Sequence, residues 1–423
     1  MNSWVQGQSG TAFGALDRML RGRLLRQLAA LQGGAGLVLS DGMGRVELGG
    51  AVAACPPIGL QVHSPRFYRA LAAHGSVGAA QAYMDGHWDC TDLVALVRLL
   101  VRNRDLLDAM EQGPARVGAW ALQAWHGLRR NTRDGARRNI AAHYDLGNAF
   151  FRLFLSEDMM YSSALYAGPH DTLEQASTRK LERICAKLRL QPQDHLVEIG
   201  TGWGGFAVHA ARVHGCRVTT TTISREQHAW ASQRVAEAGL QDRVTVLLSD
   251  YRDLQGSYDK LVSIEMIEAI GPQYLDIYFA TLGRLLKPEG LGLVQAITIE
   301  DHRYEQAVRT VDFIKRFIFP GSFIPSITAM LAAKTRSSDL ALVHLEDFGG
   351  SYAHTLRAWR GRFLGNREAA RAQGYDERFL RMWEFYLAYC EGGFLERSIG
   401  VAHLLLARPG YRGAPDLPGA WAA

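Results

Sequence analysis

Apolar positions change period along the chain, and the changes divide it. Residues 35–65 read as short strands and turns: Gly-Leu-Val-Leu, Asp-Gly-Met-Gly, Arg-Val-Glu-Leu-Gly-Gly, Pro56-Pro57 and Gly-Leu-Gln-Val-His. Ser64-Pro65 opens a helix, because serine caps a first turn and proline fits inside it. A second helix starts after Thr91-Asp92 and runs through Leu-Val-Ala-Leu-Val-Arg-Leu-Leu-Val to about Met110. Together these elements predict a small α+β domain over residues 1–125. Next comes a basic stretch holding Arg129, Arg130, Arg133, Arg137 and Arg138 against a single Asp134. It reads as a linker, 126–142, either merely solvated or resting on phosphate head groups.

The rest, 143–423, is a second domain. Strands are expected at His195–Ile199, Cys216–Thr222, Arg243–Leu248, Lys260–Ile264 and Leu291–Ile297. Helices are expected at Gly205–Val213, Ser224–Ala238 and Gln273–Leu286. This alternation predicts an α/β fold with a doubly wound parallel sheet. After residue 300 the pattern is mostly helical, which reads as helical insertions, and Val401–Ala407 is expected as a final edge strand.

Composition narrows the class. The 423 residues carry 47 − 42 = +5 formal charges, with 48% apolar and 21% charged residues, which excludes a disordered or collagen-like chain. No run approaches the roughly 18–20 apolar residues of a membrane span, and the N-terminus lacks signal-peptide character, so a cytoplasmic protein is expected. Five widely spaced cysteines without a Cys-x-x-Cys pair support neither a disulfide framework nor a metal site. Only six of the 47 cations are lysine, the first being Lys180. The basic balance admits nucleic acid or phospholipid as partner and does not choose between them.

The strongest local motif is Val197-Glu198-Ile199-Gly200-Thr201-Gly202-Trp203-Gly204-Gly205, at a strand-to-helix junction. Glycines there let the backbone turn tightly and approach a ligand, while the helix N-terminus offers unbonded N–H groups. Gly200, Gly202 and Gly205 fit a dinucleotide fingerprint; Glu198, Gly200, Gly202 and Gly204 fit the acidic loop of S-adenosylmethionine-dependent methyltransferases. A dinucleotide site wants an acid at the end of the next strand, which here ends in Thr219-Thr220-Thr221-Thr222. Glu198, by contrast, suits the cationic amino group of an amino-acid-bearing cofactor. The methyltransferase loop fits better, and an NAD-dependent oxidoreductase is the alternative.

Further segments carry a resemblance. His143-Tyr144-Asp145-Leu146-Gly147-Asn148, Tyr161-Ser162-Ser163-Ala164, Thr222-Ile223-Ser224-Arg225-Glu226-Gln227, Met266-Ile267-Glu268-Ala269-Ile270-Gly271 and Ile318-Phe319-Pro320-Gly321-Ser322-Phe323-Ile324-Pro325-Ser326 follow one another. In this order they resemble the cyclopropane-fatty-acyl-phospholipid synthase and mycolic acid methyltransferase family. The resemblance implies a Rossmann-like fold, S-adenosylmethionine as cofactor, and the cis double bond of an unsaturated phospholipid acyl chain as substrate. It implies cofactor contacts from Tyr161, Ser162, the loop Val197 to Gly205, Thr222, Ile223 and Gln227, with Tyr251 and Arg252 at the adenine. Thr222 and Gln227 would then replace the missing carboxylate with neutral hydrogen bonds.

An isolated alkene attacks a sulfonium methyl only where water is excluded and the emerging cation is tolerated. A base must then remove one proton from the transferred methyl before a ring closes. The resemblance implies a bound bicarbonate as that base, held by Glu268, Tyr352, residue 295 and the backbone at residue 163, beside Cys390. Phe379, Trp383, Tyr386 and Cys390 share one helical face, either an acyl tunnel wall or ordinary core. Two positions depart from the family pattern: its His is Gln295 and its Cys is Ser163. Gln is neutral at every relevant pH, whereas His shares or takes a proton. The ring is the expected product, with a methyl or methylene branch as the alternative if closure is slow. Methylation of another lipid or small molecule is the broader alternative. The reading places the enzyme at the inner face of an anionic membrane, with room for a homodimer and with nucleic acid disfavoured.

Overall fold

The computed structural model describes residues 13–32, 36–49, 56–105, 108 and 146–413. The arginine-rich linker and His143, Tyr144 and Asp145 lie outside the described residues. The chain divides into two compact units: Met1–Trp125 with Val311–Arg316 and Arg367–Glu396, and His126–Thr310 with Phe317–Asn366 and Arg397–Ala423.

In the first unit, α1 (Ala15–Leu28) precedes β1 (Leu37–Asp41), β2 (Gly44–Leu48) and β3 (Ile58–Val62), then α2 (Arg66–Met84), β4 (Trp88–Cys90) and α3 (Leu93–Arg102). The sheet order is β2-β1-β3-β4, with β1 and β3 parallel. Asp92 caps α3 by accepting from the Ala95 N–H at 2.9 Å. The helix Glu377–Leu395 belongs to this unit, although the sequence boundary placed it in the second domain. Its Ala388 is buried with Leu93, Leu96 and Leu99 of α3. A Cβ on its Gly392 would lie 2.6 Å from Val97 Cγ1, so glycine permits that approach.

The second unit is built on a seven-stranded sheet. Helix α4 (Leu173–Leu188) leads to β5 (His195–Ile199), α5 (Gly205–His214), β6 (Arg217–Thr222), α6 (Arg225–Glu237), β7 (Val244–Leu248) and β8 (Tyr258–Ile264). Then follow α7 (Leu275–Leu285), β9 (Leu286–Ile299), α8 (Asp301–Arg309), α9 (Ile327–Ser337), β10 (Ala341–Asp347), α10 (Gly349–Gly365) and β11 (Ile399–Ala407). The order is β10-β11-β9-β8-β5-β6-β7, with β5 to β9 parallel and β11 antiparallel to both its neighbours. This is a Rossmann-like, doubly wound α/β fold.

The final strand corrects an expectation: β11 is an interior strand. Val401 through Ala407 are all buried, and a strand apolar on both faces requires cover on both. The edge is β10, whose residues alternate between exposed and half-buried, and which the helical reading of this region overlooked. Its period-two pattern spans only seven residues.

Strand order reverses between β5 and β8, so the crevice beyond their C-terminal ends is the expected ligand position in this architecture. Both the glycine loop and the segment after β8 emerge there.

Candidate active site

The glycine loop turns through three left-handed residues, Gly200 (φ +99°), Gly202 (φ +51°) and Gly204 (φ +81°). A Cβ on Gly205 would lie 2.7 Å from Asp158 O and from Met160 Sδ, so only glycine admits that segment. Around Gly202, by contrast, a Cβ would meet nothing within 4 Å among the described residues. The loop therefore wraps open space that a side chain would fill, which suits an S-adenosylmethionine cradle. Val197 and Ile199 are buried in the core, so Val197 can contribute only backbone. Glu198 is buried and accepts from Thr220 Oγ1 at 2.6 Å, while Thr220 also bonds Thr201 Oγ1 at 2.7 Å. Burial pushes the Glu198 carboxyl up to about 8.

Other expected cofactor contacts flank this loop. Thr222 Oγ1 donates to Gln227 Oε1 at 2.9 Å, which orients the Gln227 amide, and Ile223 follows half-buried. Trp203 donates its indole N–H to Asn148 Oδ1 at 2.6 Å. The Tyr161 ring packs against Phe151 and Trp359 at 5.2 and 5.3 Å between centroids. Ser162 accepts from the buried Lys180 ammonium at 2.7 Å. Tyr251 is largely core, and Arg252 pairs in bidentate fashion with Asp250 at 2.8 and 2.7 Å. An acid does stand beside that position, two residues before Arg252.

The second cluster centres on Glu265, immediately after β8. Its Oε1 accepts from the Ser163 N–H at 2.9 Å and from Gln295 Nε2 at 2.7 Å, and its Oε2 from the Tyr352 hydroxyl at 2.8 Å. Strand register builds the rest, because Glu346 of β10 faces His403 of β11, and His403 faces Gln295 of β9. His403 Nε2 lies 3.0 Å from Gln295 Oε1, and its Nδ1 lies 3.1 Å from Lys187 Nζ. The ammonium must donate to Nδ1, so Nε2 carries the proton and donates to Gln295. Burial drives His403 down to about 3, keeping the ring neutral. Lys187, His403 and Gln295 thus form a chain of N–H donors that ends on Glu265.

Three of the four groups that the resemblance assigns to bicarbonate therefore already bind a protein carboxylate. Bicarbonate does not fit among those donors as they stand, which corrects the expectation. Ser163 contributes backbone only, its hydroxyl donating to Ala164 O at 2.9 Å. Glu268 is the fourth group; its Oε1 accepts from the Ile297 N–H at 2.5 Å, and its buried Oε2 has no partner among the described residues. Cys390 sits on the helix Glu377–Leu395, which belongs to the first unit. Burial pushes its thiol far up, so it stays protonated at neutral pH. In that same unit Phe379, Trp383 and Tyr386 form a row with centroid separations of 5.7 and 5.2 Å.

Residues 131–404 match the family model described as mycolic acid cyclopropane synthetase. The chain belongs to that family. It is an S-adenosylmethionine-dependent methyltransferase. The tuberculostearic acid methyltransferase UfaA1 of Mycobacterium tuberculosis is 38% identical over 88% of each chain. The cyclopropane-fatty-acyl-phospholipid synthase of Escherichia coli is 34% identical over 85% of this chain and 90% of its own. Among solved structures, the mycolic acid cyclopropane synthase CmaA1, complexed with SAH and CTAB, superposes with a TM-score of 0.60 at 28% identity. That match covers 64% of this chain and 98% of the other.

Sequence reasoning missed Glu265, His403 and Lys180 in this synthetase-family site. Each had a faint signal. Glu265 and Glu268 stand three apart beyond a predicted strand, His403 interrupts an apolar run, and Lys180 is a rare lysine. A further grouping escaped spacing rules: Cys185, His209 and His214 bring side-chain N and S atoms within 4.8 Å of one another on α4 and α5. Glu182 lies 3.0 Å from the His209 ring, and burial holds that imidazole below its ordinary pKa.

Glu268 and Glu265 crowd one buried region, and burial, then the charge of Glu265, pushes Glu268 up to about 8. Between its ordinary value near 4.5 and 8, the folded protein keeps a proton that the unfolded chain has lost. Stability must therefore fall as pH rises through that window. Glu268→Gln removes the effect, so its melting temperature relative to wild type should climb from pH 5 to pH 8.5. A constant difference across that range would refute the assignment.

Proposed function

We propose that this enzyme transfers the S-adenosylmethionine methyl group to the cis double bond of an unsaturated phospholipid acyl chain. The carrying observation is the buried Glu265–Tyr352–Gln295 cluster following β8, whose Met266 lies against the glycine loop at Gly200. Negative charge held there by buried donors suits a cation emerging on hydrocarbon. The expected cofactor residues, from Tyr161 and Ser162 through Gln227, support the same reading.

The product this geometry favours is a methyl- or methylene-branched chain. A carboxylate pinned by three donors cannot follow a moving cation, and slower proton removal leaves time for a hydride shift. The relative named for tuberculostearic acid supports this outcome. Ring closure is the second reading, supported by the Escherichia coli synthase. No described helix is long and apolar enough to cross a membrane. The net charge of +5 suits meeting the substrate at an anionic membrane surface. Vesicles of a monounsaturated anionic phospholipid, given enzyme and S-adenosylmethionine, test all of this. Turnover should fall as salt rises. Ring and methylene products share a mass, so proton NMR of the recovered lipid decides between them. Absence of any methylated lipid would sink the proposal.

A further inference from the structure

We propose that Glu265 is a resident base of this enzyme, standing where an exchangeable anion would sit and taking the proton lost from the transferred methyl. The inference rests on the alkene-methylation reading above and deepens it.

Backbone geometry gives the first argument. Glu265 has φ +48°, a left-handed conformation that is strained for a non-glycine residue. A glycine would stand there without strain. Something must offset that cost, and the side chain supplies it through three charge-assisted hydrogen bonds. Donor accounting gives the second. A carboxylate has about four lone-pair sites. Two donors occupy Oε1 and one occupies Oε2, leaving an Oε2 site without a second partner among the described residues. A proton can arrive there while the holding bonds stay intact.

The surroundings are built to fix this carboxylate. Gln295 cannot flip its amide without turning Oε1 toward Glu265, and the His403–Lys187–Glu346 row holds the productive orientation. Ser163 follows Ser162, and Met266, next to Glu265, lies against Gly200. Glu265 is therefore tied to both segments expected to hold the cofactor.

The step balances. The alkene pair bonds the methyl carbon as that carbon leaves sulfur, whose bonding pair stays on sulfur as a neutral thioether. The resulting carbocation gives one methyl proton to Glu265 Oε2. The released C–H pair closes the ring or, after a 1,2-hydride shift, forms the exomethylene double bond. Glu265 then returns the proton to water.

The test uses full-length enzyme, vesicles of a monounsaturated phospholipid and S-adenosylmethionine, in buffer scrubbed of carbon dioxide or supplemented with sodium bicarbonate. Wild type should turn over equally in both. Glu265→Gln should lose roughly 10²–10⁴-fold, the usual worth of a general base, with no bicarbonate rescue. Glu265→Gly relaxes the backbone and exposes the same three donors, so it should be slow in scrubbed buffer and recover saturably with bicarbonate. Cofactor affinity by calorimetry verifies that both variants are folded. Wild-type turnover by Glu265→Gln, or a wild type that needs bicarbonate, overturns the proposal. So does a folded Glu265→Gly enzyme that bicarbonate does not accelerate. A wild type inert on every unsaturated vesicle in both buffers would instead overturn the function reading itself.

Discussion

Gly202→Val should abolish S-adenosylmethionine binding while leaving the fold intact. Gly202 sits at φ +51°, where a β-branched residue is strained, and its side would project into space open to at least 4 Å. Strain and occupancy act together on the ligand-bearing loop. We expect affinity to fall at least about 100-fold, or roughly 3 kcal/mol. Titration calorimetry with S-adenosylmethionine measures it, with circular dichroism as the fold control. Affinity within threefold of wild type would separate this loop from the cofactor.

Lys180→Met should be the most destabilising single change in the site. Lys180 is fully buried, donates to Ser162 Oγ at 2.7 Å, and its charge is felt by Glu265, Asp158 and Glu198. Burial draws it down to about 8, against the pull of those carboxylates, so it remains largely protonated at neutral pH. Methionine matches its length but removes the buried ammonium that faces Glu265 and Asp158 and leaves Ser162 Oγ without its donor. Breaking a buried pair from one side costs about 3–5 kcal/mol. Urea unfolding at pH 7 reads this directly. A loss below about 1 kcal/mol, within the range of exposed ion pairs, would show that the carboxylates do not depend on it.

Much of this was legible in the sequence, for reasons particular to each residue. The parallel strands and the Gly200-to-Gly205 loop were readable because glycine punctuation and short apolar runs are local properties. Tyr352, Gln295 and Ser163 were singled out by resemblance, and the structure gathers all three on one carboxylate. The identity of that carboxylate was not legible. Glu265 and Glu268 differ in which way the backbone turns after β8, and a φ of +48° leaves no mark on composition. His403 was hidden because its partner Gln295 stands 108 residues away, joined only by antiparallel register. Cys390 follows the same logic in reverse. Its helix lies late in the chain, yet its packing partner α3 was made some 290 residues earlier, and no local pattern reports that return.

The place of β11 in the sheet has a consequence for how the molecule is made. On the ribosome, β9 emerges about a hundred residues before the strand that covers its outer edge, and β10 has no sheet neighbour at all until β11 arrives. An unpaired edge is a template for wrong partners while it waits. Gln295 waits too, with no imidazole behind it. The Ser163, Gln295 and Tyr352 bonds to Glu265 need no residue of β11, but the imidazole behind Gln295 does. Its hydrogen-bonded row is complete only once β11 pairs with both β9 and β10.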